Sequence, residues 1–233
     1  MRLTHIAAGL CIAAGAVQTQ AATISVEITN ATHSIHFTPI LAVAHTEANH
    51  LFRLGEEASD GLQMMAEGGS IDGLLTLADS IGADTVANPA EGLLAPGAMT
   101  TIASWDTGDA DRLSIVAMLL PTNDGFVGLD SWQIPSEPGT YTLTLNGYDA
   151  GTEANDELIV DGSGAPGTPG IPANPSGNSG TMGTGVTSEE SNTTVHIHRG
   201  NVGDTMVEGG ASDLDSRVHR WLNPVAKVTI TVH

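Results

Sequence analysis

The stretch YDAGTEAND, Tyr148–Asp156, places three carboxylates and an asparagine within nine residues around Gly151. Oxygen donors at that density suit a hard divalent cation. Calcium takes about six to eight oxygens from carboxylates, backbone carbonyls and water. Gly151 can adopt a positive φ and turn the chain, folding Glu153 back toward Asp149. Asp124 follows PTN and precedes Gly125, at the end of a long apolar run, so a second loop can bring its carboxylate to the same ion. Asn155, Asp156 and Asp130 lie close enough in sequence to add oxygens. Without a cation, clustered carboxylates repel one another and raise one another's pKa values. The alternative is a solvated acidic loop that holds no ion.

Other groups of side chains invite weaker readings. DTGDAD, Asp106–Asp111, lacks the spacing of an EF-hand loop and reads as a solvated turn, with a second cation site as the alternative. His196 and His198 alternate along one strand and can face the same way, as copper or zinc ligands would, but nothing in the spacing supplies a third ligand beyond His219 or His36. Hydrogen-bonded or surface histidines are the plainer expectation. No GxSxG elbow, HExxH helix or phosphate loop is present, so no catalytic residue is assigned. Trp105, Trp132 and Trp221 are expected in the core.

Composition narrows the partners. Asp and Glu number 27 against 7 Lys plus Arg, a formal net charge of -20, and Lys227 is the only lysine. That field repels nucleic acid and anionic membranes and attracts cations. Residues 1–21 read as a signal peptide: Arg2, the apolar run Ile6–Val17, then small residues at Thr19–Ala21. The one cysteine, Cys11, falls inside that segment, so the exported chain would carry no thiol and no disulfide. Structural zinc held by thiolates is thereby excluded, and export without disulfides fits a bacterial secreted or periplasmic protein. No later run is long and apolar enough for a membrane helix.

The elements that must position the acidic loops are mostly strands. Thr23–Thr29, Tyr141–Asn146, Thr193–His198 and Lys227–Val232 alternate apolar and polar residues, while Arg112–Leu120 is apolar almost throughout, as for a strand covered on both faces. Further short strands are expected around Ile35–Thr38, Thr100–Trp105 and Phe126–Leu129. Two helices are expected within Glu47–Gly69 and from an N-cap at Ser70 to about Gly82. Asp161–Asn192, rich in Gly, Pro, Ser and Thr, reads as a long exposed excursion from a single domain spanning 22–233. The fold expected is all-β with minor helices: an antiparallel β-sandwich of about eight strands.

Several motifs in this order resemble the spondin N-terminal domain family. They are ITNATHSIHFTPI (Ile28–Ile40), RLSIVAMLLPTNDGFVGLDSW (Arg112–Trp132), YDAGTEAND, and RVHRWLNPVAKVTITV (Arg217–Val232), so the likeness extends from Thr23 to the C-terminus. The resemblance implies a C2-like sandwich binding calcium or another divalent cation. Carried over motif by motif, the metal ligands are Asp124, Asp149 and Glu153. This chain departs from the pattern with Glu rather than Asp at 153, Gly125 where the family often has Trp, and no cysteines in the matching region. The function expected is an exported, non-enzymatic calcium-binding module. It would act at the cell surface or in the extracellular matrix, on a protein or polysaccharide partner. A periplasmic copper- or zinc-binding protein using its histidines and a hydrolase of surface polymers are the alternatives.

Overall fold

The computed structural model describes residues 22–165 and 167–233, so the expected signal peptide lies outside the described residues. The strands are β1 Thr23–Asn30, β2 His36–Phe37, β3 Leu41–His45, β4 Asp84–Ala87, β5 Met99–Asp106, β6 Arg112–Leu120, β7 Gly125–Gln133, β8 Gly139–Asp149, β9 His196–Ile197 and β10 Ala226–Val232. Two helices, α1 Asp60–Gly68 and α2 Asp72–Ser80, separate β3 from β4. The fold is all-β with minor helices, as the alternation predicts. One ten-stranded sheet runs β4-β3-β6-β7-β8-β10-β1-β5, with β2 beside β6 and β9 beside β8.

Its two halves are joined through β8. Gly139–Leu145 pair with β10, and Asn146–Asp149 pair with β7. At the far ends of the order, Trp105 of β5 donates from Nε1 to Asp84 of β4 at 2.9 Å, so the sheet bends nearly closed around its core. That core takes the inward residues of β1 (Ile24, Val26, Ile28), β10 (Val228, Ile230) and β6 (Leu113, Ile115, Ala117, Leu119). The alternate residues of β3 and β6, Leu41, Val43, Val116 and Met118, pack instead against Leu62, Met65, Leu74 and Ala78 of the helices. Two cores explain why β6 is buried at every position and shows no alternation.

The helices are shorter than expected, since Glu47–Ala58 is not helical. Ser59 caps α1 by accepting from Leu62 N, and Gly69, at φ 73, ends it. Ser70 does not cap α2; Ile71 occupies that position without a side-chain bond.

Asp161–Asn192 contains no named strand or helix, yet it is fastened down. Ile171 is fully buried, its N–H donates to Leu158 O at 2.8 Å, and Val160 N donates back to Ile171 O at 3.1 Å. Backbone bonds such as Gly180 N to Asp213 O and Val186 N to Asp156 O add to this, and two outside carboxylates accept from the segment, Glu153 from Gly170 N at 2.8 Å and Asp213 from Gly183 N at 3.0 Å. Beside the segment, Glu157 takes Val202 N and Gly203 N at 2.5 and 2.8 Å, and Asp213 also takes Ile159 N at 3.0 Å. Such bonds stand in for the sheet ladder that glycine and proline cannot sustain.

Candidate functional site

Asp124 closes the turn between β6 and β7, and Asp149 ends β8, one position beyond which the chain turns back through Gly151 to Glu153. The strand register sets Asp149 opposite Gly125, directly after Asp124, and Ala150 N donates to Asp124 O at 3.2 Å. Gly151 takes φ 72, and an added Cβ would stand 2.7 Å from Asn192 O, so the turn requires glycine. Gly125 is equally constrained: a Cβ there would meet Thr122 Oγ1 at 2.6 Å. A Trp, as the family often has, does not fit this backbone.

All three carboxylates are buried: Asp124 is 0%, Asp149 1% and Glu153 8% exposed. Asp124 Oδ2 accepts Thr152 N at 2.8 Å, Thr152 Oγ1 at 3.2 Å and Glu153 N at 3.3 Å, whereas its Oδ1 is buried without a partner. Glu153 repeats the division. Its Oε2 accepts Gly170 N at 2.8 Å and its Oε1 is buried without a partner. Asp149 has both oxygens engaged, Oδ1 by Gly151 N at 2.9 Å and Oδ2 by Asn155 Nδ2 at 2.7 Å.

Burial, then the charge of Asp149, lifts the Asp124 pKa well above the usual carboxylate range, against the opposing hydrogen bonds from Thr152 and Glu153. Burial likewise pushes Glu153 up to about 7, opposed by the Gly170 N–H and the nearby Asn123 amide and assisted by the charges of Glu67 and Asp156. Glu67, 4% exposed on α1, carried no signal in the sequence, because its helix was readable but the neighbour it faces was not.

Among the described residues, no three His, Cys, Asp or Glu side chains stand grouped as a ready metal cage. Of the further oxygen donors, Asn155 and Asp156 reach the site. Asn155 bridges Asp149 to His198, accepting from His198 Nε2 at 3.1 Å, and Asp156 Oδ1 accepts Asn123 Nδ2 at 2.8 Å. Asp130 does not; it pairs with His50 Nδ1 at 2.8 Å. Asp106–Asp111 forms a turn, with Gly108 N on Asp106 Oδ1 and Asp111 against Arg112.

His196 and His198 do face the same way, toward Asp149 Oδ2, at 3.7 and 4.0 Å. Val195 and Ile197 do not share a face, however: Val195 is buried in the helix-side core and Ile197 is 47% exposed. His198 is neutral, its pKa lowered to about 4 chiefly by burial, with Asp149 opposing. Its bonds agree, Nδ1 accepting Gly200 N and Nε2–H donating to Asn155. His219 and His36 lie elsewhere, against Gly177 and Ser176 respectively. Trp105 and Trp221 are in the core, and Trp132 packs on its edge.

A nearly closed antiparallel sheet with helices on one face and buried carboxylates on adjoining turns defines an all-β domain. The Spondin_N family model matches residues 28–158, more than half of the chain, and the chain belongs to that family. No curated protein matches it. Asp124, Asp149 and Glu153 all fall inside the matched stretch; β10 falls beyond it but is integral to the sheet through β1 and β8.

Proposed function

We propose that this is an exported, non-enzymatic module that binds a divalent cation, calcium foremost, and engages a cell-surface or matrix partner at the same loop end. The observation that carries it is the pair of buried oxygens without partners, Asp124 Oδ1 and Glu153 Oε1, on two turns tied to each other by Thr152. A buried anionic oxygen left bare is costly, and a cation neutralises it. The two unpartnered donors are hard carboxylate oxygens, which suits calcium; backbone carbonyls and water would complete the coordination. Asp124 and Glu153 would hold the ion, with Asp149 beside them, and the ion would stiffen both turns.

A second reading, copper or zinc at the histidines, is favoured by one contact. His196 Nδ1 lies 2.8 Å from Thr194 O and therefore carries its proton, which leaves Nε2 as a lone pair facing Asp149 Oδ2. Thermal unfolding in chelator and then in excess calcium, zinc or copper separates the two. An ion that binds only the folded chain adds about 2.7 kcal/mol at a hundred times its dissociation constant, a shift of several degrees. Calcium-dependent stabilisation abolished by Asp149→Asn supports the first reading. Stabilisation by copper or zinc alone, lost in His196→Ala, supports the second, and no shift with any ion refutes both.

A further inference from the structure

Glu153 reaches in two directions. Its Oε2 accepts the backbone N–H of Gly170 at 2.8 Å, while Oε1 is buried and unbonded. Gly170 belongs to the Gly/Pro-rich segment, which begins after residue 158, where the family match ends. It is buried, at φ 119, with Val160 against it so closely that a Cβ would stand 2.6 Å from Val160 Cγ2. The same segment covers the end of α1. A Cβ at Gly68 would overlap Gly164 O at 2.0 Å, and Glu67, whose charge acts on Glu153, lies next to that contact.

We propose that Glu153 couples cation binding to the seating of the Asp161–Asn192 segment, so that the ion controls whether this segment lies closed over the loop end. The inference rests on the cation reading above and adds its regulation. One carboxylate serves two bonds. An ion on Oε1 fixes the side chain and holds Oε2 against Gly170 N, and a seated Gly170 holds Oε1 in place for the ion. The coupling is reciprocal by necessity. The length of the arm then matters: aspartate at 153, one methylene shorter, would have to serve both bonds with less reach.

Hydrogen exchange of the purified protein, in chelator and in excess calcium, tests this. Calcium is expected to slow exchange of the Gly170 and Ile171 amides about tenfold beyond any change at Val228 and Ile230 in the β1–β10 ladder. Glu153→Asp is expected to keep a calcium-dependent thermal shift while losing that extra protection. Calcium binding measured by calorimetry, with Gly170 and Ile171 exchanging no more slowly than in chelator, overturns the coupling and leaves the cation reading standing. Protection that persists in calcium-bound Glu153→Asp also overturns it. Absence of calcium binding by calorimetry overturns the cation reading and the coupling together.

Discussion

The backbone N–H and the hydroxyl of Thr152 both donate to Asp124 Oδ2, at 2.8 and 3.2 Å, and so join two turns that are 28 residues apart. Asp124 therefore has a structural half and a vacant half. Asp124→Asn can keep the Thr152 bonds through its amide oxygen while removing a buried charge. Relieved of a buried carboxylate, the variant in chelator is expected to unfold at or above the wild-type midpoint. Calcium should no longer stabilise it. A loss of more than about 1 kcal/mol in chelator would show that the charge itself supports the fold.

Much of this architecture was legible because strands announce themselves by period. β1, β8 and β10 show in their alternation, and β6 in a nine-residue apolar run. β3 was missed: LAVAH is buried at all five positions and too short to distinguish from a helical segment. β4, with two exposed and two half-buried residues, gives no period at all. The three site carboxylates were identified from motif likeness, not from periodicity. Glu67, Asn123 and Glu157 contribute through tertiary neighbours that sequence spacing does not reveal. Composition predicted the lack of regular structure in Asp161–Asn192 but not its fastening, because acceptors such as Asp213 lie outside it.

Glu157 should be costly to lose. Its buried carboxylate accepts Val202 N, Gly203 N and the Ser212 hydroxyl at 2.5, 2.8 and 2.6 Å, although its own backbone sits at φ 59. Glu157→Ala strands two backbone donors and a hydroxyl in the interior. A charge-assisted bond is worth about 1.5–3 kcal/mol, so a loss of at least about 3 kcal/mol in urea unfolding is expected. Glu157→Gln keeps one acceptor and should lose less. Equal losses in the two variants would argue that packing, not hydrogen bonding, is the contribution.

Gly128 on β7 is required by an aromatic neighbour rather than by its backbone. A Cβ there would stand 2.6 Å from Phe52 Cζ and 2.8 Å from Phe52 Cε1. Phe52 meets Phe126 edge-on, with ring centroids 5.0 Å apart, and Tyr148 at 5.1 Å. Gly128→Ala must displace this cluster, at a cost of about 1–3 kcal/mol. Phe52→Leu should relieve part of that cost in the double variant, so a double-mutant cycle reads the contact directly. Strict additivity would mean that Phe52 is not what excludes the methyl group.

His219 makes the Gly/Pro-rich segment sensitive to acid. The ring is 0% exposed; Nδ1 accepts Asp215 N at 3.0 Å, and Nε2–H donates to Gly177 O at 3.0 Å. The first bond requires the neutral ring, because a proton on Nδ1 would face the Asp215 N–H. Burial lowers its pKa from 6.5, outweighing the bonds to Gly177 and Asp215 and the charges of Asp215 and Glu157, which act the other way. The unfolded ring takes its proton near 6.5 and the folded ring only at lower pH, so the unfolded state binds more protons between those values. The His219 contribution is therefore complete above 6.5 and is lost as pH falls through the lowered folded value. His36 and His45, also lowered chiefly by burial, act in the same direction, while Asp124 and Glu153, whose pKa values are raised, act in the opposite one. The decisive measurement is the stability difference between wild type and His219→Asn across this range, in which the other groups cancel. Asparagine can accept from Asp215 N but does not titrate. The difference should narrow on acidification, and a difference independent of pH would remove His219 from the acid response.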